Sequence, residues 1–395
     1  MANTLLTPSQ ITREALRVLH QKLNFIGAIN RQYDDSFAKD GAKIGSALRI
    51  RLPNQYTVRT GAALSTQDTT ENQVTLNVTT QKGVDTTFTS VEMTLSLDDF
   101  SKRIIDPAMS VLAASIEADA FSMALDVYNA VNNVGSPITF KTVLQARKLL
   151  NDNLAPMDGN RAVIMNTQDN VDLVDALKGL FQDSSEIKAQ YRDGVMGHTA
   201  GFEFSENTLL PSQTTGTALS ATTYTVNGAS QVGSAITVAT GSTTFKKGDV
   251  VTFAGCNSVH PETKVSTGNL QQFVVTADYA GGAGNLAISP AIVTSGATQN
   301  VSGSPTNGGA VTKIGGASAI YKPSLAFHKD AFTFATADLV LPKGVDMASR
   351  AVMDGISMRL VRQYDINADK FPVRLDVLYG YQTIRAQLAA RILSN

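Results

Sequence analysis

The 395-residue sequence predicts an α+β subunit that carries an all-β insertion, and three observations lead there. Pro107 to Val131 is free of glycine and has apolar residues at helical spacing. Two period-two runs between Leu48 and Val78 flank a polar stretch, as in a long hairpin. Residues 211–320 hold 16 of the 30 glycines but only seven charged residues. Short β-like runs separate those glycines, a spacing that argues a barrel or sandwich.

The elements follow in order. Thr7-Pro8-Ser9-Gln10 is a capping box with proline at the first helical position. Ile11, Ala15, Leu16, Val18 and Leu19 continue that helix, and Phe25-Ile26-Gly27 is read as a break. Leu48, Ile50 and Leu52 alternate with Arg49 and Arg51; Val74, Leu76 and Val78 alternate with Thr75, Asn77 and Thr79. The polar run Ser65 to Asn72 joins them. An isolated hairpin is marginal in water, so these six apolar residues are expected to cover a surface of this chain or of a neighbour.

Ser96-Leu97-Asp98-Asp99 opens a helix by a capping pattern, and Asp106-Pro107 interrupts or restarts it. Leu112, Ile116, Ala120, Met123, Val127 and Val131 then form one stripe along a 25-residue helix. At 1.5 Å per residue that is a rod of about 37 Å. A helix is expected from Phe140 to Leu150, a strand over Arg161 to Met165, and a helix capped by Thr167 with Val171, Leu173 and Leu177. The insertion's runs include Tyr224-Thr225-Val226, Ala235 to Val238, Val250 to Phe253 and Phe273-Val274-Val275. Mixed composition resumes near Tyr321, which marks an insertion and not a tail. Val373, Leu375 and Val377 alternate with Arg374 and Asp376 before an expected turn at Gly380.

Charge narrows the function classes. With 33 basic and 34 acidic residues there is no positive footprint for sequence-reading nucleic-acid binding. Loose enclosure of DNA stays open. Cys256 is the sole cysteine, so neither an intramolecular disulfide nor a cysteine-cluster metal site is possible. No secretory signal opens the sequence, and no apolar run approaches the roughly 18 residues of a membrane helix. A cytosolic product without a membrane anchor is expected.

No constellation for catalysis, cofactor or metal emerges. His20, His198, His260 and His328 are not at metal-ligand spacing and read as helix-surface or loop residues. Asp169, Asp172 and Asp175 drift round one helix face and read as solvated; Asp98-Asp99 suits a first helical turn. Gly281-Gly282-Ala283-Gly284 and Gly308-Gly309 are not between a strand and a helix and read as turns. Lys246-Lys247-Gly248-Asp249 reads as a solvated turn, and Arg49, Arg51 and Lys102-Arg103 as surface or interface charges.

The order of parts is that of a known family. Tyr191-Arg192-Asp193-Gly194 with Ala200-Gly201-Phe202 comes first. Phe245-Lys246-Lys247-Gly248-Asp249 with Phe253-Ala254-Gly255 lies inside the insertion. Ala337-Asp338-Leu339 with Pro342, Gly355-Ile356-Ser357 with Arg359, and Arg374 to Gly380 follow. Together they resemble the tailed-bacteriophage major capsid proteins of the Hong Kong phage-type fold. Within these the likeness is to the coat proteins of the short-tailed Salmonella phage type, which carry an inserted β-barrel. The stretch from Val226 to Thr244 carries no charge, so that group's charged capsomer-bracing loop is not carried over.

The resemblance implies a tailed-phage capsid fold with an N-terminal arm (1–40), extended loop (41–92) and peripheral domain with spine helix (93–160). It further implies an axial domain in two parts (161–212 and 319–370), the barrel (213–318) and a closing segment (371–395). It implies a non-enzymatic shell protein without cofactor, forming pentamers and hexamers that enclose DNA. A scaffolding protein and portal are the expected partners, and a decoration protein is a further one. The expected place is the virion, after assembly in the bacterial cytoplasm. Leu48, Ile50, Leu52, Val74, Leu76 and Val78 are the candidate intersubunit contacts, and Pro107 the candidate hinge. A bacterial compartment shell of the same fold, a glycan-binding β module and a hydrolase are the alternatives.

Overall fold

In the computed structural model the strand Lys370–Thr383 gathers the first sheet around itself. The described residues are 8–31, 47–64, 66–68, 71–89, 105–177, 197–219, 224–239, 241–353, 355–367 and 370–394. Thr7, Ser96 to Asp99, Lys102-Arg103 and Tyr191 to Gly194 lie outside them. The chain forms two compact units. One comprises Met1–Arg51, Gln73–Phe121 and Phe332–Ile384; the other comprises Leu52–Asn72, Ser122–Ala331 and Arg385–Asn395.

In the first unit, Lys370–Thr383 pairs antiparallel with Thr80–Thr89, Ile356–Arg362 and Phe332–Ala337. Met347–Met353 extends the sheet beyond Ile356–Arg362, and Asn30–Arg31 lies parallel to Phe332–Ala337. Val373, Leu375 and Val377 are buried, as their alternation predicts. The expected turn at Gly380 is absent, because the strand runs on to Thr383. The glycine serves a close approach instead: a Cβ there would collide with the Asn77 carbonyl oxygen.

Helix Pro8–Lys22 buries Ala15, Leu16, Val18 and Leu19 and packs on Met347–Met353 and on helix Asp106–Phe121. The expected break at Phe25 is a short helix, Asn24–Ala28. Phe25 stacks on Phe121 with centroids 4.4 Å apart and meets Phe332 edge-on at 5.7 Å. Its amide donates to the buried Glu117 Oε1 at 2.5 Å, so a carboxylate supplies the acceptor that a short helix start needs.

The hairpin forms as read, Ala47–Arg51 against Gln73–Asn77, with Leu48 opposite Leu76 and Ile50 opposite Val74. Its apolar face is covered within the chain. Leu76 and Val78 are buried against Ala335 and Ala337, with Leu48, Ile50 and Leu378 packed alongside. Leu76 and Val78 are therefore core residues of the subunit. Leu52 and Val74 are half-buried.

The long helix is shorter than its stripe suggests. The α-helix spans Asp106–Phe121, a tighter 3-10 segment covers Ser122–Asp126, and Ala130–Asn132 is a strand. Leu112, Ile116, Ala120 and Met123 are buried as predicted, but Val127 and Val131 leave the helix. The run Val127-Tyr128-Asn129 has weak helix propensity, and tertiary bonds claim it. Arg391 N donates to Asn129 O at 2.8 Å, and Asn129 Nδ2 donates to Ala389 O at 2.9 Å. Contrary to the expectation that no stretch is long and apolar enough, Asp106–Asp126 would suffice to cross a membrane by length and composition alone; half of its most apolar part is buried inside the protein.

The second unit holds a sheet in the order Ala130–Asn132, Ala389–Leu393, Ser324–His328, Arg161–Met165, Phe202–Glu206, His198–Thr199. The second to fourth strands are buried at every position, so their sequences show no alternation, and they carry Arg161, Ser324, His328 and Arg391 inside. Helix Phe140–Asp152 starts at a capping box of Thr139 and Thr142. Helix Thr167–Leu177 is capped by Asn166 and not by Thr167: Asp169 N donates to Asn166 Oδ1 at 2.7 Å.

The insertion is a closed barrel in the order Tyr224–Val226, Gly233–Ala239, Gly284–Ile292, Ser266–Val275, Val250–Val259, Ala310–Lys313. Tyr224, Phe245, Phe253 and Phe273 fill it, with Cys256 among them. Burial pushes the Cys256 thiol up to about 12, so it is an inert core group. Leu76→Ala is expected to lower unfolding free energy by about 2–5 kcal/mol in urea titrations. Val58→Ala, at a site 95 % exposed, is expected to stay within about 0.5 kcal/mol.

Candidate functional site

The chain enters and leaves the barrel side by side. Gln213–Thr214 pairs antiparallel with Ile320–Tyr321, with Tyr321 opposite Gln213 and Ile320 opposite Thr214. Thr215 N donates to Ala319 O at 2.9 Å and Ser318 N to Gly216 O at 3.1 Å. This neck is a laddered pair of strands and not a loose linker.

Three charged side chains are buried there. Asp249 Oδ2 accepts from the amides of Gly216 and Lys246, each at 2.9 Å. Lys313 Nζ donates to the carbonyls of Gly216 at 2.9 Å and Gly316 at 2.7 Å. Arg391, from strand Ala389–Leu393, donates to Gln213 Oε1 and to the Gly248 carbonyl, each at 2.9 Å. Gln213 completes the ring by donating to Asp249 Oδ1 at 3.4 Å. Gly216 thus gives its amide to the carboxylate and its carbonyl to the ammonium, and a Cβ on it would strike the Thr244 carbonyl.

Burial sets the electrostatics. It pushes the Asp249 carboxyl up, against the amides of Lys246 and Gly216 and the charges of Lys313 and Arg391. It pushes the Lys313 ammonium and the Arg391 guanidinium down, and Asp249 opposes both shifts. It raises the Tyr321 hydroxyl to about 12. Such a network is held by charge-assisted bonds that offset desolvation, and it fails badly if one partner is removed.

Two further contacts seat the barrel. The Gln272 side chain accepts from Ala130 N at 2.7 Å and donates to Ala130 O at 2.9 Å, imitating a strand edge. Val250 and Tyr321 are buried with Ala130 and Leu393.

The closing strand is pinned at its end as well. Ser394 Oγ donates to Asp169 Oδ1 at 2.6 Å, and Ser324 Oγ donates to Asp169 Oδ2. Asp169 is buried, contrary to the solvated face expected for it; Asp175 is exposed. Burial pushes its carboxyl up, against the serine hydroxyls.

The other singled-out residues fall apart in space. Lys246 and Lys247 are exposed and meet Asp278 at 2.7 Å and Asp126 at 3.6 Å, whereas Asp249 of the same turn is buried. His328 lies in a buried strand and not on a surface; its Nε2 is 3.1 Å from Asp158 Oδ1 and its Nδ1 accepts from Asp330 N. His260 Nδ1 accepts from the Glu262 and Thr263 amides in a loop. Among the described residues no group of three or more His, Cys, Asp or Glu could hold a metal. Nothing local in the sequence marks Arg391, Lys313, Asp249 and Asp169 as a buried set. Lys313 was legible, since alternation puts it on the inward face with Val311.

The family model of the P22 coat protein, gene protein 5, matches residues 30–391. The chain belongs to the P22 coat protein family. It is a phage major capsid protein with a structural role, and a component of the virion. Among solved structures, this coat protein is similar to one from Mycobacterium phage Che8 at 14% identity, with a TM-score of 0.49. That match covers 94% of this chain and 90% of the other. The capsid of Ralstonia phage GP4 is similar at 8% identity and TM-score 0.47, over 92% and 86%. No protein in the curated comparison matches the sequence.

The pinned carboxylate gives a pH prediction. A carboxyl raised in the folded state contributes most below its unfolded value of about 4 and loses that contribution as pH rises through its folded value. Wild type is therefore expected to gain stability over Asp169→Asn as pH falls from about 7 to about 4. Urea midpoints of the pair across that range measure it; a gap that moves the other way contradicts the assignment.

Proposed function

We propose that this coat protein closes into rings of five and six copies that tile an icosahedral head around double-stranded DNA, without catalysing a reaction. The family match over residues 30–391 carries the reading. The loop Leu52–Asn72 supports it. Tyr56, Val58 and Leu64 are exposed there at 58%, 95% and 84%, whereas the hairpin strands have their apolar face covered. Gln67 fixes the loop by accepting from Thr57 N at 2.8 Å and donating to Thr57 O at 2.6 Å. Exposed apolar groups on a pre-formed loop suit burial on a second copy. A net charge of −1 spares many packed copies strong mutual repulsion.

In this reading residues 1–40 and 41–92 are the arm and extended loop, 93–160 carries the spine helix, and 161–212 with 319–370 form the axial domain. Residues 213–318 are the inserted domain, and 371–395 close the fold. A scaffolding protein and a portal assist assembly in the bacterial cytoplasm, and a decoration protein is a further partner class. DNA is enclosed without sequence reading. Pro107, exposed in the first turn of helix Asp106–Phe121, is the hinge at which the helix begins.

Two outcomes test this. Val58→Asp combined with Leu64→Asp is expected to cut the yield of shells, counted by negative-stain microscopy, at least about tenfold. Unfolding free energy of the unassembled subunit should change by no more than about 0.5 kcal/mol. Undiminished shells would remove the loop from the contact. Pro107→Ala, which permits the helix to lengthen backwards, is expected to slow shell expansion; unchanged expansion kinetics would contradict the hinge.

A further inference from the structure

The neck has a design that ring formation does not explain. Domains joined by two chain crossings ordinarily move relative to one another unless their interface is large or apolar. Here the interface joins three buried charges to a small apolar cluster of Ala130, Val250, Tyr321 and Leu393. The keystone comes from neither crossing. Arg391 lies on Ala389–Leu393, which pairs with Ser324–His328 on one side and Ala130–Asn132 on the other. One guanidinium nitrogen holds Gln213, on the entering strand, and the other holds Gly248, in a turn of the barrel itself. Lys313 ends the barrel's last strand and reaches back to Gly216 on the entering side. Gln272, on strand Ser266–Val275, clasps Ala130 on the strand next to Ala389–Leu393.

We propose that the neck is a closed joint locked by Arg391, so that the barrel and the Ala389–Leu393 sheet behave as one rigid body. Arg391 acts as a positioning residue. Its guanidinium keeps its proton under all ordinary conditions, so Arg391 itself does not titrate out of the joint. The joint is complete only when strand Ala389–Leu393 is docked between Ser324–His328 and Ala130–Asn132.

Hydrogen–deuterium exchange on the full-length unassembled protein tests this by comparing two sets of amides. The neck set is Thr215, Gly216, Ile314 and Ser318, each bonded across the joint or its ladder. The barrel set is Val251, Phe253 and Phe273, buried in its core. In wild type the neck set should be protected as strongly as the barrel set. In Arg391→Met, neck exchange should rise at least about 100-fold while the barrel set keeps its protection, because the buried Gln213 side-chain oxygen and Gly248 carbonyl lose their donor and Asp249 loses an opposing charge. A wild-type neck that exchanges far faster than the barrel overturns the proposal, as does an Arg391→Met neck that is unchanged or opens together with the barrel. If Arg391→Met does not fold, Gln272→Ala decides: faster neck exchange supports the joint, and unchanged exchange overturns it.

Discussion

A guanidinium that is fully buried cannot shed its charge, so the surrounding structure has to be arranged for it. Arg391 is such a group, and much of the second unit follows from its demands. Gln213 and the turn at Gly248 are placed to accept from it, and Asp249 supplies the opposing charge. The strand that bears it is held between two others and fastened beyond its end by Ser394 on Asp169. A charge inside the sheet therefore fixes the register of the closing strand, and the closing strand fixes the base of the insertion.

The scarcity of charge in the insertion has the same origin. Of its seven charged residues, Lys246, Lys247, Asp249, Asp278 and Lys313 gather at the base, in bonds to one another, to Asp126 or to the backbone. Glu262 and Lys264 lie in the turn between Val250–Val259 and Ser266–Val275. The barrel wall is left to glycine, serine and threonine. Closure removes the exposed strand edges that would let copies of a shell protein pair wrongly at high local concentration. The hairpin obeys a related economy: its apolar face is satisfied inside the subunit, so exposed apolar surface there is confined to the Leu52–Asn72 loop.

The sequence made some of this legible and hid the rest for physical reasons. Period-two runs were read correctly at Leu48 to Ile50, Val74 to Leu76 and Val373 to Val377, because half-buried strands alternate. The insertion was legible from glycine turns. The helix stripe failed after Met123 because strand pairing with Ala389–Leu393 outweighs local periodicity. Gly380 reads as a turn because close backbone approach leaves no mark on the sequence distinct from a bend. Asp169 and Asp249 read as solvated because their donors Ser394 and Gly216 are 225 and 33 residues away, and no local pattern announces a bond across such spans.

The central claim is that this is a coat subunit that builds shells, and cryo-electron microscopy of the purified protein under assembly conditions tests it most directly. The account predicts closed icosahedral particles made of five- and six-membered rings. In every subunit the barrel should keep one orientation on the Ala389–Leu393 sheet, with Arg391 seated between Gln213 and Gly248. A protein that stays monomeric under all assembly conditions would contradict the account.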